Sequence, residues 1–167
     1  MSILHNYTSD NTLLHVADDM ARPPFDHQRS FLAIRDKIIS HINPKATEIC
    51  TESCLDLSDL NSVAPDVVVY QNTSPDSTKW IPLLFVEVCL GHQLNEAREK
   101  VKKAMLEYSV REAFIYVYPY RYWVKLFFEN NIFHDINSSY SHILDMDINP
   151  TPDSLINVKR VPIPENW

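Results

Sequence analysis

One glycine, Gly91, stands against eleven prolines in a chain of 167 residues. That scarcity excludes a whole class of chemistry. Phosphate-cradling loops, whether of the dinucleotide or the P-loop kind, need several glycines in fixed order, and none can be built here. Cysteine is also scarce: Cys50, Cys54 and Cys89 are an odd number without framework spacing, as expected of reduced thiols in a cytoplasmic protein. Long apolar runs are missing too. The longest, Ile81 to Leu90, is too short to span a bilayer and contains Glu87. The opening residues, Met1-Ser-Ile-Leu-His-Asn, show no basic region followed by an apolar stretch, so no membrane or secretory destination is expected.

Positive charge is short as well, with a formal net charge of -7. A surface broadly attractive to nucleic acid is therefore not expected, because phosphate contacts rely on clustered lysine and arginine. The basic residues are nevertheless uneven, with Arg98, Lys100, Lys102, Lys103 and Arg111 close together. A hydrophobic fraction of 45% is that of a globular chain with a sizeable core.

Periodicity then organises the chain. Residues 1–24 are polar and end in Arg22-Pro23-Pro24, which reads as an N-terminal arm, with residues 25–167 forming one domain. From Asp26, read as an N-cap, the segment His27 to Ile42 places apolar residues at helical spacing. Short β-like stretches follow near Thr47 to Leu57, then Asp66-Val-Val-Val-Tyr70 and the nearly all-apolar Ile81 to Leu90, a strand covered on both faces. Leu94, Ala97, Val101, Ala104, Met105 and Tyr108 define a second amphipathic helix over about Asn95 to Ser109. Strands over Ala113–Tyr118 and Tyr122–Phe128 flank Pro119-Tyr-Arg121 as a hairpin, and the tail is expected to add one strand near His142 to Met146. The fold class is α/β, a mixed sheet flanked by helices.

Within that frame Glu87 needs an explanation. In a strand, Phe85, Glu87 and Cys89 share one face, and a carboxylate there is costly unless a cation or hydrogen-bond donors meet it. An ordinary ion pair would suffice. Asp66 opens a neighbouring strand after Pro65, and adjacent strands lie about 5 Å apart, so the two acids can share one divalent ion. Asp at a strand start is also a common turn residue. Among the lysines of the second helix, Lys100 borders the apolar stripe, Lys103 points nearly opposite and Lys102 lies on the far flank. Lys100 is thus placed to turn toward the sheet, although pairing with Glu96 four residues earlier is the commoner fate. A cation near a metal and two carboxylates suits phosphodiester hydrolysis.

These residues resemble a known family. Pro65-Asp66-Val-Val-Val, Phe85-Val-Glu87-Val, Glu99-Lys100 and Ser109-Val-Arg-Glu-Ala-Phe-Ile115 are similar to the Uma-two family of restriction endonucleases, part of the PD-(D/E)xK nuclease superfamily. The resemblance runs over about residues 27 to 128, with His27-Gln28 opening a helix and Glu52 following before the Pro-Asp. It implies a restriction-endonuclease-like core and a Mg²⁺- or Mn²⁺-dependent DNA endonuclease. Asp66 and Glu87 would hold the metal, and the catalytic lysine would move to Lys100, since Cys89 stands where Glu-x-Lys would have it. Glu52 would be an extra ligand or a further acid behind the pair, Lys103 and Arg111 would meet the DNA backbone, and a homodimer would suit cutting two strands. Three positions depart from the family pattern: Leu90-Gly91-His92 after the strand, Ser109 in place of a glycine, and Tyr118-Pro119 at the later strand end.

Other readings remain. A non-catalytic interaction module that keeps the nuclease fold after losing its chemistry is the alternative, supported by the negative charge and the altered loop after Glu87. A thiol enzyme using Cys89 and His92 has poor spacing for a hydrogen-bonded pair. Cys50 and Cys54 read as structural thiols, Asp145 and Asp147 as a solvated edge, and the aromatics from Phe114 to Trp123 as sheet packing.

Overall fold

A computed structural model describes residues 25–43, 46–51, 65–73, 80–155 and 162–163. The expected N-terminal arm, Glu52 and Cys54 lie outside the described residues. The fold is a six-stranded mixed sheet packed between two helices, consistent with a restriction-endonuclease-like core.

Helix α1 spans Phe25–Ile39, so Asp26 lies inside its first turn and does not cap it. Strands β1 (Thr47–Thr51), β2 (Val67–Asn72) and β3 (Trp80–Cys89) run antiparallel in turn. Helix α2, Leu94–Tyr108, then carries the chain back, so that β4 (Glu112–Val117) pairs parallel to β3. Strands β5 (Tyr122–Glu129) and β6 (Ile132–Ile136) complete the sheet as antiparallel neighbours in the order β1 to β6. A parallel pair needs a crossover, and the amphipathic α2 provides it.

The end of α2 shows why the chain turns there. Ser109 adopts the left-handed conformation at φ 57°, Val110 N–H donates to Met105 O at 2.9 Å, and Ser109 N–H donates to Leu106 O at 3.4 Å. This is a Schellman termination, with buried Val110 closing over Met105. Its left-handed position is one a glycine fills without steric cost; serine holds it at roughly 1–2 kcal/mol.

Alternation along the strands splits the core in two. Phe31, Ile34 and Ile38 of α1 cover Val67, Val69, Val86, Val88, Phe114 and Tyr116, together with Met146, Ile148 and Leu155 from the tail. Val101, Ala104 and Met105 of α2 cover Val68, Phe85, Cys89, Ala113, Ile115 and Leu126 on the other face.

Two expectations for the tail are corrected. Asn130 and Asn131, both at positive φ, form a two-residue turn that adds β6 to the sheet. The single strand expected near His142–Met146 is instead a small hairpin of β7 (Tyr140–Ser141) and β8 (Met146–Asp147), with residues 142–145 as its turn.

That hairpin is anchored by a buried ion pair. Lys125 of β5 meets Glu112 of β4, and both are almost fully buried. Glu112 also accepts from Ser141 Oγ at 2.5 Å, His142 N–H at 3.0 Å and Ile143 N–H at 3.4 Å, while Lys125 Nζ donates to Tyr140 O at 2.9 Å. Removing one partner strands a charge, at a cost of roughly 3–5 kcal/mol. Lys125→Met is therefore expected to lower unfolding stability by about that amount in urea titration, with Glu112→Gln added to it recovering part of the loss, because the amide oxygen removes the stranded charge and keeps an acceptor for the hairpin donors. A single variant as stable as the wild type would contradict this account of the anchor.

Candidate functional site

Glu87 sits near the C-terminal end of β3, 7% exposed, on the face that α2 covers. The β2–β3 register pairs Val67 with Val86; carried one residue further, it sets Asp66 beside Glu87. Directly opposed side chains on antiparallel strands approach to about 5 Å at Cβ. Both acids thus come together at the one place where β2 begins.

Lys100 reaches them from α2. The stripe Leu94, Ala97, Val101, Ala104 and Met105 lies against the sheet, and Lys100 next to Val101 is turned inward. Its Nζ donates to Glu87 Oε1 at 2.6 Å, so it pairs across to the strand. Lys102 pairs with Glu99 at 2.9 Å, and Arg98 with Asp135 at 3.3 Å. Lys103 is exposed on the outer face of α2. Arg111 precedes β4 and lies four residues, roughly 13 Å, down the strand from Ile115, the register partner of Glu87. Neither Lys103 nor Arg111 is brought to the acidic pair.

One residue arrives that spacing did not single out. His27 Nε2, from the first turn of α1, lies 2.8 Å from Val88 O and 3.3 Å from Asp66 Oδ2. Asp66 Oδ2 also accepts from Val88 N–H at 2.6 Å. Both neighbours of Nε2 are acceptors, so this nitrogen carries the hydrogen. The ring is held edge-on between Phe31 and Tyr118. No local signal marks this role, because the contact joins residues 61 apart.

The electrostatics follow from burial. Desolvation, then the Asp66 charge, push the Glu87 carboxyl up to about 7, against the opposing pull of Lys100 and His27. Burial works against the charged form of His27, but Asp66, Val88 O and Glu87 outweigh it and raise the imidazole pKa. Burial, with Glu87 and Asp66 nearby, pushes the Cys89 thiol up to about 12.

Whether a cation fits can be judged from the donor set. Glu87 Oε2 is buried without a hydrogen-bond partner, although its twin oxygen is paired. A buried carboxylate oxygen in that state calls for a cation or a water. Among the described residues no group of three or more His, Cys, Asp or Glu side chains converges as a ligand set. Zinc, which takes three or four protein ligands, is a poor match. Mg²⁺ and Mn²⁺ fit better, since Mg²⁺ characteristically keeps several waters and uses one or two carboxylates.

The thiol reading loses its basis. Cys89 is buried against the α2 face while His92 is exposed, and a thiol near pKa 12 is neutral at physiological pH.

No protein-family model matches this chain, and no curated protein is significantly similar to it in sequence.

Two outcomes follow for the metal-free protein. Because the folded-state pKa of Glu87 lies above the ordinary 4.5, its protonated form favours the fold. That stability is fully present below about pH 4.5 and is lost as pH rises through about 7. Urea unfolding at a series of pH values is expected to show this decline, with a shallower slope in Glu87→Gln; equal slopes would refute the burial argument. Separately, iodoacetamide at pH 8 is expected to leave Cys89 unmodified in the folded protein over a time that labels it fully in urea. Fast labelling of the native thiol, read by mass spectrometry, would restore the thiol reading.

Proposed function

We propose that this protein is a metal-dependent DNA endonuclease hydrolysing phosphodiester bonds, with Asp66 and Glu87 as metal ligands and Lys100 as the catalytic lysine. The observation that carries the reading is the convergence of Asp66, Glu87 and Lys100 from three separate elements, with Glu87 Oε2 buried and unpartnered. The Pro65-Asp66 and Val86-Glu87-Val88 motifs support it through their resemblance to the Uma-two family, and the mixed sheet packed against two helices is in keeping with a restriction-endonuclease-like core.

When bound, Mg²⁺ or Mn²⁺ supplies Lewis acidity that activates water and offsets negative charge on the phosphate. The chain's own residues do the rest. Asp66 and Glu87 present carboxylate oxygens to the ion. Lys100, held at 2.6 Å by Glu87, keeps a positive charge at the site, where it offsets charge developing on the phosphodiester. Burial of Glu87, which is 7% exposed, keeps most bulk water from its carboxylate and strengthens these interactions. Glu52 stays a candidate further acid, Lys103 and Arg111 candidate backbone contacts away from the chemistry, and a homodimer the assembly suited to cutting both strands. The reduced, buried thiol of Cys89 is in keeping with a cytoplasmic setting. Among the described residues no helix is long and apolar enough to cross a membrane.

A second reading, an inactive nuclease-fold domain that binds another protein, is favoured by the state of the basic residues. Lys100, Lys102 and Arg98 are each engaged by a carboxylate in a chain of net charge -7.

Calorimetric titration with Mn²⁺ separates the two. Saturable binding is expected in the wild type, with loss in Asp66→Asn and Glu87→Gln while both still fold. Lys100→Ala is then expected to bind the ion but to relax supercoiled plasmid at least about 10²-fold more slowly. A wild type that binds no Mn²⁺ would favour the interaction module.

A further inference from the structure

The β2–β3 ladder stops at Val67 and Val86, and the next backbone groups of β3 on that side belong to Val88. Continuing the register, Val88 would face Pro65. Proline has no N–H, so it cannot serve the Val88 carbonyl. Side chains serve the Val88 groups instead: His27 Nε2 donates to Val88 O at 2.8 Å, and Asp66 Oδ2 accepts from Val88 N–H at 2.6 Å.

The same His27 nitrogen lies 3.3 Å from Asp66 Oδ2. Nε2, Oδ2 and the two backbone groups of Val88 thus form one closed ring of contacts tying α1 to β3 and to the residue that opens β2. Oδ2 is held on two sides, by Val88 N–H and by His27, which restricts rotation of the whole Asp66 carboxylate. His27 itself is fixed by Phe31 and Tyr118.

We infer that His27 is a positioning residue for Asp66, supplying the hydrogen that Pro65 lacks and orienting the carboxylate toward a divalent cation shared with Glu87. This rests on the metal reading of the site proposed above. Donors that orient a metal-ligating carboxylate typically contribute about 10–100-fold to affinity.

The test is Mn²⁺ titration at one fixed pH with wild type, His27→Phe and His27→Gln, each also melted without metal. His27→Phe fills the space without a donor and is expected to weaken Mn²⁺ binding about tenfold or more. His27→Gln restores an N–H to the ring of contacts and is expected to recover most of the affinity. Should His27→Phe not fold, His27→Asn, whose amide stops short of both oxygens, takes its place with the same expectation. A lowered melting temperature with unchanged Mn²⁺ affinity would make His27 merely structural and overturn the inference alone. A wild type without Mn²⁺ binding would overturn the metal reading and the inference with it.

Discussion

A carboxylate in the middle of a sheet is the constraint on which the site is built. Glu87 lies on a strand with neighbours on both sides and a helix across its face, where an unmatched charge costs several kcal/mol. Lys100 meets it only because α2 lies in register with the sheet, and α2 lies there because β3 and β4 are parallel and need a crossover. The apolar stripe that docks α2 therefore also delivers the lysine. Packing and charge placement are here a single requirement on the sequence.

The same sheet holds a second buried acid, and the contrast between them is instructive. Glu112 has Lys125, Ser141 and two backbone N–H groups, so both its oxygens are matched. That is a structural carboxylate, anchoring the tail hairpin over the sheet. Glu87 has one oxygen matched and the other buried without a partner, beside a second acid. A fold that can saturate one buried glutamate has the means to saturate another, and on the proposed reading the difference leaves Glu87 Oε2 for a cation.

Much of this was legible from residue order, and the reasons differ by element. The two helices and β2 to β5 announce themselves because each buries one face or both, which leaves periods of 3.6 or 2, or an unbroken apolar run. Lys100 could be chosen over Lys102 and Lys103 because helical rotation alone decides which side chain borders the buried stripe. Strand β6 was missed although Asn130-Asn131 is a hairpin signal, because Ile132 to Ile136 is mostly exposed and shows little alternation. The tail hairpin depends on Glu112, about 30 residues away, and Lys125 alternates among apolar residues much as a solvated lysine would. His27 is further still from its partners, and only the register that sets Pro65 opposite Val88 explains why a donor is needed there.

On the proposed reading, charge also couples the ion to the substrate. With both carboxylates ionised and His27 neutral, two negative groups face the ammonium of Lys100, and the site carries one net negative charge that repels a phosphodiester. A divalent cation held by Asp66 and Glu87 would reverse that sign and make the site attractive to the phosphate. It would also favour the ionised form of Glu87, against the burial that pushes its carboxyl up to about 7. Ion and phosphate would then favour each other's binding, and Lys100, sharing the neutralisation of Glu87 with the ion, would be available to the oxygen on which charge develops. The close Lys100–Glu87 pair is thus compatible with a working site, because it keeps the lysine beside the carboxylates where the phosphate would be met.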